Sequence, residues 1–328
     1  MTDHFKTLLL LALPAGGKSE VRNFLMARDP SRFHMAPTVQ LDDYPYVHLQ
    51  IRVDEVLVSL GLPQVYHGVD PGHQGNGPFF DHREFVGLIH LLNDDYEAYR
   101  RGRPVLPERP ARHLLERFDA ASIAVGARPK LPAMSADVIA QIERSLEAEA
   151  RAHYEQVAAA FPGSLDGSTV VLEFSRGGPP GDTMPLPDGY GYLGSVPHLS
   201  REILEHAAIL YIWVTPEDSR RKNRERARPD GDGSILFHGT PESVMTREYS
   251  RCDMEYLIQR SKVSGAVRIE AHGTMFDVPV ARFDNRGDLT TFLRKDQSDW
   301  APEEIAAIDT ELHRACTSLW ATCQKLGK

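Results

Sequence analysis

An apolar run from Leu8 to Leu13 leads straight into Pro14-Ala15-Gly16-Gly17-Lys18-Ser19, and Val21, Phe24 and Leu25 follow at i, i+3 and i+4. A run of strand length without polar alternation suits a strand covered on both faces, as in parallel sheets. The proline and glycines turn the chain, and the spaced apolar residues give the next segment a helical packing face. This strand, glycine turn and helix restrict the chain to folds in which helices are laid on a parallel sheet.

Further strands are expected at Thr38 to Leu41, Ser168 to Phe174, Ala208 to Val214 and, as a short last strand, Val280 to Phe283. The second stops before Pro45, which has no N–H for a ladder, and Pro279 is tolerated just before the last. Between them lie apolar stripes of helical period: Val53, Val56, Leu57 and Leu60; Phe85, Ile89, Leu92 and Tyr96; a short stripe of Leu114, Leu115 and Phe118; and a long one from Val138, capped by Ser135. No strand is expected among these four. Met245 to Ile258 reads as one helix, and Ile305, Ile308, Leu312 and Leu319 mark an amphipathic C-terminal helix. The expected architecture is α/β, three-layered with a mostly parallel sheet. Residues 1–46 and 162–296 form the core, 47–161 a large helical insertion and 297–328 a C-terminal helix.

A length of 328 residues accommodates one core with such an insertion. The net charge of −9 argues against a general nucleic-acid or membrane-surface binder. No apolar stretch reaches the ~18 residues that cross a bilayer. Cys252, Cys316 and Cys323 are odd in number with no Cys-x-x-Cys pair, which fits a reducing cytoplasm. Leu8 to Leu13 reads as a strand rather than an export signal, because the preceding positive charge is weak. The histidines around His67-Gly68-Val69-Asp70-Pro71-Gly72-His73 and His82 lack zinc-site spacing, so no protein metal centre is expected there. That loop could instead close over a substrate. Ser175 lies outside any G-x-S-x-G elbow, which disfavours a Ser-His-Asp hydrolase.

The chemistry-bearing residues fall at strand ends, where α/β folds bind ligands. Ala12-Leu13-Pro14-Ala15-Gly16-Gly17-Lys18-Ser19 is a relaxed G-x-x-x-x-G-K-[ST] loop with alanine at the first glycine position. Small residues let backbone N–H groups face a phosphate at a helix N-terminus, Lys18 can reach the β- and γ-phosphates, and the Ser19 hydroxyl can ligate Mg²⁺. The segment resembles the P-loop NTPases of the small-molecule kinase group, which includes uridine kinase, phosphoribulokinase and the nucleotide kinases. The resemblance covers Phe5 to Tyr44 and Ser168 to Arg294 and leaves the insertion unmatched.

It implies ATP and Mg²⁺ as cofactors, held by Pro14, Ala15, Gly16, Gly17, Lys18, Ser19 and Glu20. Asp42 or Asp43 would activate an acceptor hydroxyl, with Asp43, Tyr44 and Arg176 at the substrate. Glu173 would join Ser19 at the metal, and Asn285 would border the adenine. The basic segment Arg220, Arg221, Lys222, Arg224, Arg226, Arg228 resembles the family's lid, with Arg220, Arg221 and Arg224 favoured as phosphate clamps. The function so implied is phosphoryl transfer to a small hydroxyl-bearing metabolite, nucleoside or nucleotide. The alternative is a nucleotide-binding switch or weak ATPase acting through a protein partner. The acceptor, the choice of ATP over GTP and the oligomeric state, a homodimer included, stay open.

Overall fold

The computed structural model describes residues 3–70, 76–181, 183–226 and 239–328. Its strands are β1 (Thr7–Leu11), β2 (Thr38–Asp42), β3 (His67–Val69), β4 (Asn76–Phe79), β5 (Thr169–Phe174), β6 (Ala207–Trp213), β7 (Ala266–Ala271) and β8 (Thr274–Asp284). The first six helices are α1 (Lys18–Met26), α2 (Tyr44–Ser59), α3 (Glu84–Arg101), α4 (Pro110–Ala124), α5 (Ala136–Ala159) and α6 (Gly191–Ser195). The others are α7 (Arg201–His206), α8 (Pro216–Arg226), α9 (Glu242–Glu248), α10 (Met254–Arg260) and α11 (Pro302–Leu326).

Six strands form one sheet in the order β2-β5-β1-β6-β8-β7, parallel except for the last pair. The expected buried character of β1 is met, since all five of its residues are buried. Alternate side chains serve two cores. Leu9, Leu11, Leu172 and Ile209 pack with α3, α7 and α10, while Leu8, Leu10, Val171 and Leu210 pack with α1 and α11. A third core joins α2, α3, α4 and α5 to Leu13, Val214 and Tyr249. Helix α3, read as part of the insertion, thus packs directly on the sheet through Ile89, Leu92 and Tyr96.

The second strand does stop before Pro45, which opens α2 near its first position, where a missing N–H costs nothing. Three readings are corrected. The insertion does contain strands, the β3–β4 hairpin, whose entry is pinned by the Asp54 carboxylate accepting from the N–H groups of Val65, Tyr66 and His67. Met245 to Ile258 falls in two short helices, α9 and α10, interrupted at Tyr249 to Asp253. The last strand is 11 residues long and is preceded by β7. Its first half pairs antiparallel with β7 and its second half parallel with β6, and Pro279 sits at the changeover.

The connection leaving β1 turns toward β2, whereas that leaving its neighbour β6 turns toward β8. The carboxyl end of β1 therefore lies at a topological switch point, where an open α/β sheet leaves a crevice.

Candidate functional site

The glycine loop runs from β1 into α1. Gly17 is the helix N-cap with φ 104°, a conformation that suits glycine, and it brings no side-chain acceptor to the first turn. The first N–H groups of α1 are thus left for an external acceptor. A Cβ on Gly16 would fall 2.8 Å from the Leu13 oxygen, and one on Gly17 would fall 2.7 Å from Thr290 Oγ1. The loop is braced from outside. Tyr192 Oη donates to the Ala12 carbonyl at 3.0 Å, Ser219 Oγ to that of Pro14 at 2.6 Å, and Asn285 Nδ2 to that of Gly16 at 2.8 Å. Asn285, expected beside the adenine, is fully buried and holds the loop, with Thr290 as its second partner.

Lys18 Nζ donates to Ser175 Oγ at 2.5 Å, just beyond β5. Burial lowers its pKa, opposed by the negative charges of Glu173, Asp42 and Asp43, with Arg226 adding to the lowering. Asp42 and Glu173 stand opposite each other in the β2–β5 register, so two acidic strand ends face one lysine.

The acidic pair is split by its partners. Asp43 is buried and accepts from Arg176 Nη1 at 2.7 Å. Arg176 is itself buried, and three more of its five donors go to Ser195 Oγ at 3.0 Å and to the carbonyls of Ser175 and Phe85, each at 2.7 Å. Its guanidinium is therefore committed inward, not to an open substrate space. Asp42 accepts from the Tyr44 N–H at 3.0 Å, and among the described residues it forms no ion pair. Asp42 keeps some solvent contact. Even so, burial, then the nearby charges of Glu173 and Asp43, push its pKa up to about 7.

Glu173 is buried and paired with Arg22 at 2.9 Å, with Gln40 Nε2 at 3.3 Å on the same oxygen. Burial raises its pKa against the pull of Arg22 and Lys18. Glu20 is engaged by Arg294 at 2.6 Å. Among the described residues no group of three or more His, Cys, Asp or Glu forms a metal cage. The hard oxygens of Ser19 and Glu173 suit an Mg²⁺ ion that shares its shell with phosphates and water.

Helix α8 presents Ser219, Lys222, Asn223 and Arg226 inward, at i, i+3, i+4 and i+7. Lys222 is fully buried against Asp288 at 2.9 Å. The favoured arginines stand on the other side. Arg220 pairs with Glu217 at 3.4 Å, while the exposed Arg221 and Arg224 pair with Glu225 at 3.0 Å and Glu242 at 3.6 Å. Arg226 is the α8 arginine whose charge reaches Lys18. Burial lowers its pKa, and it interacts electrostatically with Glu20, Arg294, Tyr44 and Lys18. Arg228 and His73 lie outside the described residues. Sequence reading also passed over Arg22, although i+4 from Lys18 places it on the lysine's face of α1.

Comparisons with protein-family models, curated proteins and solved structures return no match. No helix among the described residues is long and apolar enough to cross a membrane.

Proposed function

We propose that the protein is an ATP-dependent phosphotransferase of the P-loop type, acting on a small molecule that bears a hydroxyl group. The observation carrying this reading is the convergence on Lys18. The lysine of the glycine loop is surrounded by the acidic ends of β2 and β5 and by Arg226 from α8. In this reading the open first turn of α1 and Lys18 hold the nucleotide phosphates. Asp42, with a pKa near the working pH and no ion pair among the described residues, takes the proton of the acceptor hydroxyl as it attacks phosphorus. Asp43 instead fixes Arg176. Arg226, rather than Arg220, Arg221 or Arg224, places a guanidinium on the transferring group. Ser19, with Glu173 through water, would hold Mg²⁺, which supplies charge neutralisation at the phosphates.

The test is turnover of Mg²⁺-ATP with and without a pooled metabolite extract, followed by mass spectrometry. The reading expects extract-dependent ADP and a product about 80 Da heavier, the mass of one phosphoryl group. ATP hydrolysis indifferent to the extract would overturn it.

A further inference from the structure

The inserted helices enclose a separate cavity of about 600 Å³, none of whose lining residues belongs to the site above. We propose that this cavity binds an uncharged small molecule with an apolar body. The proposal does not rest on phosphoryl transfer.

Three observations carry it. The volume falls within the ~300–1,000 Å³ of small-molecule pockets. The wall is apolar, built from Leu57, Leu62, Val65, Phe80, Met134 and Val138. Two of these, Leu62 at 37% and Phe80 at 61% exposure, meet water, an unfavourable arrangement that an occupant relieves. Finally, the buried polar floor, Lys130 and Glu84, is already paired. Buried Lys130 donates to the Glu84 carboxylate, to Ser122 Oγ at 3.1 Å and to the Arg128 carbonyl at 2.8 Å, which uses all three of its hydrogens. Glu84 also accepts from Ser122 at 3.0 Å, and Asp81 is held by Arg83 at 2.6 Å. The Arg128 side chain is exposed to water, where a charge contact contributes little. A charged group carried to the buried floor would lose its hydration and find Lys130 and Glu84 already paired.

One residue separates the cavity lining from the Arg176 network. Glu84 opens α3, and the carbonyl of the next residue, Phe85, accepts from the Arg176 that holds Asp43.

The experiment titrates the full chain with the uncharged dye Nile red, then competes it with 2-naphthol or with glucose. Saturable binding is expected, displaced by naphthol and not by glucose. The double variant Leu62→Asp/Phe80→Ser should weaken the dye at least tenfold, while Val105→Asp, which alters a side chain 86% exposed and outside the cavity, should leave it unchanged. If the double variant does not fold, Ala133→Trp fills the same space from an exposed position and should give the same loss. Absence of saturable binding, equal binding in the folded cavity variants, or displacement by glucose would overturn the proposal.

Discussion

Asp42 and Asp43 are adjacent acids, yet neutralising them should move stability in opposite directions. Burial and the charges of Glu173 and Asp43 raise the folded pKa of Asp42 from 3.8 to about 7. Its ionised form therefore opposes folding. Its contribution is most favourable below about pH 4 and is lost as the pH rises through about 7. At pH 8 the whole penalty is present, at most about 4 kcal/mol at ~1.4 kcal/mol per pKa unit, and partly shared with Glu173. Asp42→Asn should thus raise the melting temperature at pH 8 while lowering turnover by about 100- to 10,000-fold, the usual loss for a missing general base. Wild-type turnover should climb as pH rises through about 7. Asp43→Asn instead leaves the buried Arg176 guanidinium without its counter-charge, 2.7 Å away in the wild type. Breaking one side of a buried pair costs about 3–5 kcal/mol, or roughly 4–7 °C in melting temperature for a chain of this length. Thermal unfolding at pH 8 and an ADP-formation assay separate the two. Equal destabilisation by both substitutions would refute the assignment of roles.

Three further expectations can be checked. Arg226→Ala should cut turnover at least ~100-fold, while Arg221→Ala, already paired on the outer face of α8, should change it less than about threefold; equal effects would restore the outward arginines. Glu248 is buried with neither carboxylate oxygen hydrogen-bonded among the described residues, and burial raises its pKa from 4.5 to about 7. Stability should therefore fall as pH rises from about 4.5 to 7, and Glu248→Gln should flatten that slope in denaturant titrations. Gly17→Ala places a methyl group 2.7 Å from Thr290 Oγ1 in a left-handed backbone. It should lower stability by about 1–3 kcal/mol and weaken nucleotide binding, both readable by thermal shift with and without ATP.

Much of this arrangement was legible in the chain. Unbroken apolar runs located β1, β5 and β6 because both faces of those strands are covered. The β7–β8 hairpin carried a signal that was passed over. Val267 and Ile269 alternate with exposed Arg268 and Glu270, and His272-Gly273, both with positive φ, make a two-residue turn. Pro279 obscured it, since a proline inside a strand is acceptable only where the ladder changes partner. The β3–β4 hairpin gave no such signal. Its glycines and prolines have poor strand propensity, and a distant carboxylate, Asp54, holds its entry. At the site, the residue types were readable but their directions were not. A segment as basic as 220–226 has no apolar stripe to set its inward face, so Arg226 could not be told from Arg221. Asp42 and Asp43 were likewise indistinguishable until Arg176 chose one of them.

The most direct test of the central claim is calorimetric titration of wild type and Lys18→Ala with ATP, ADP and AMP in the presence of Mg²⁺. The account predicts that ATP and ADP bind wild type, that AMP binds at least tenfold more weakly, and that Lys18→Ala loses ATP while keeping its fold. Equal affinity for AMP and ATP, or undiminished ATP binding in Lys18→Ala, would contradict a glycine loop that holds the β- and γ-phosphates.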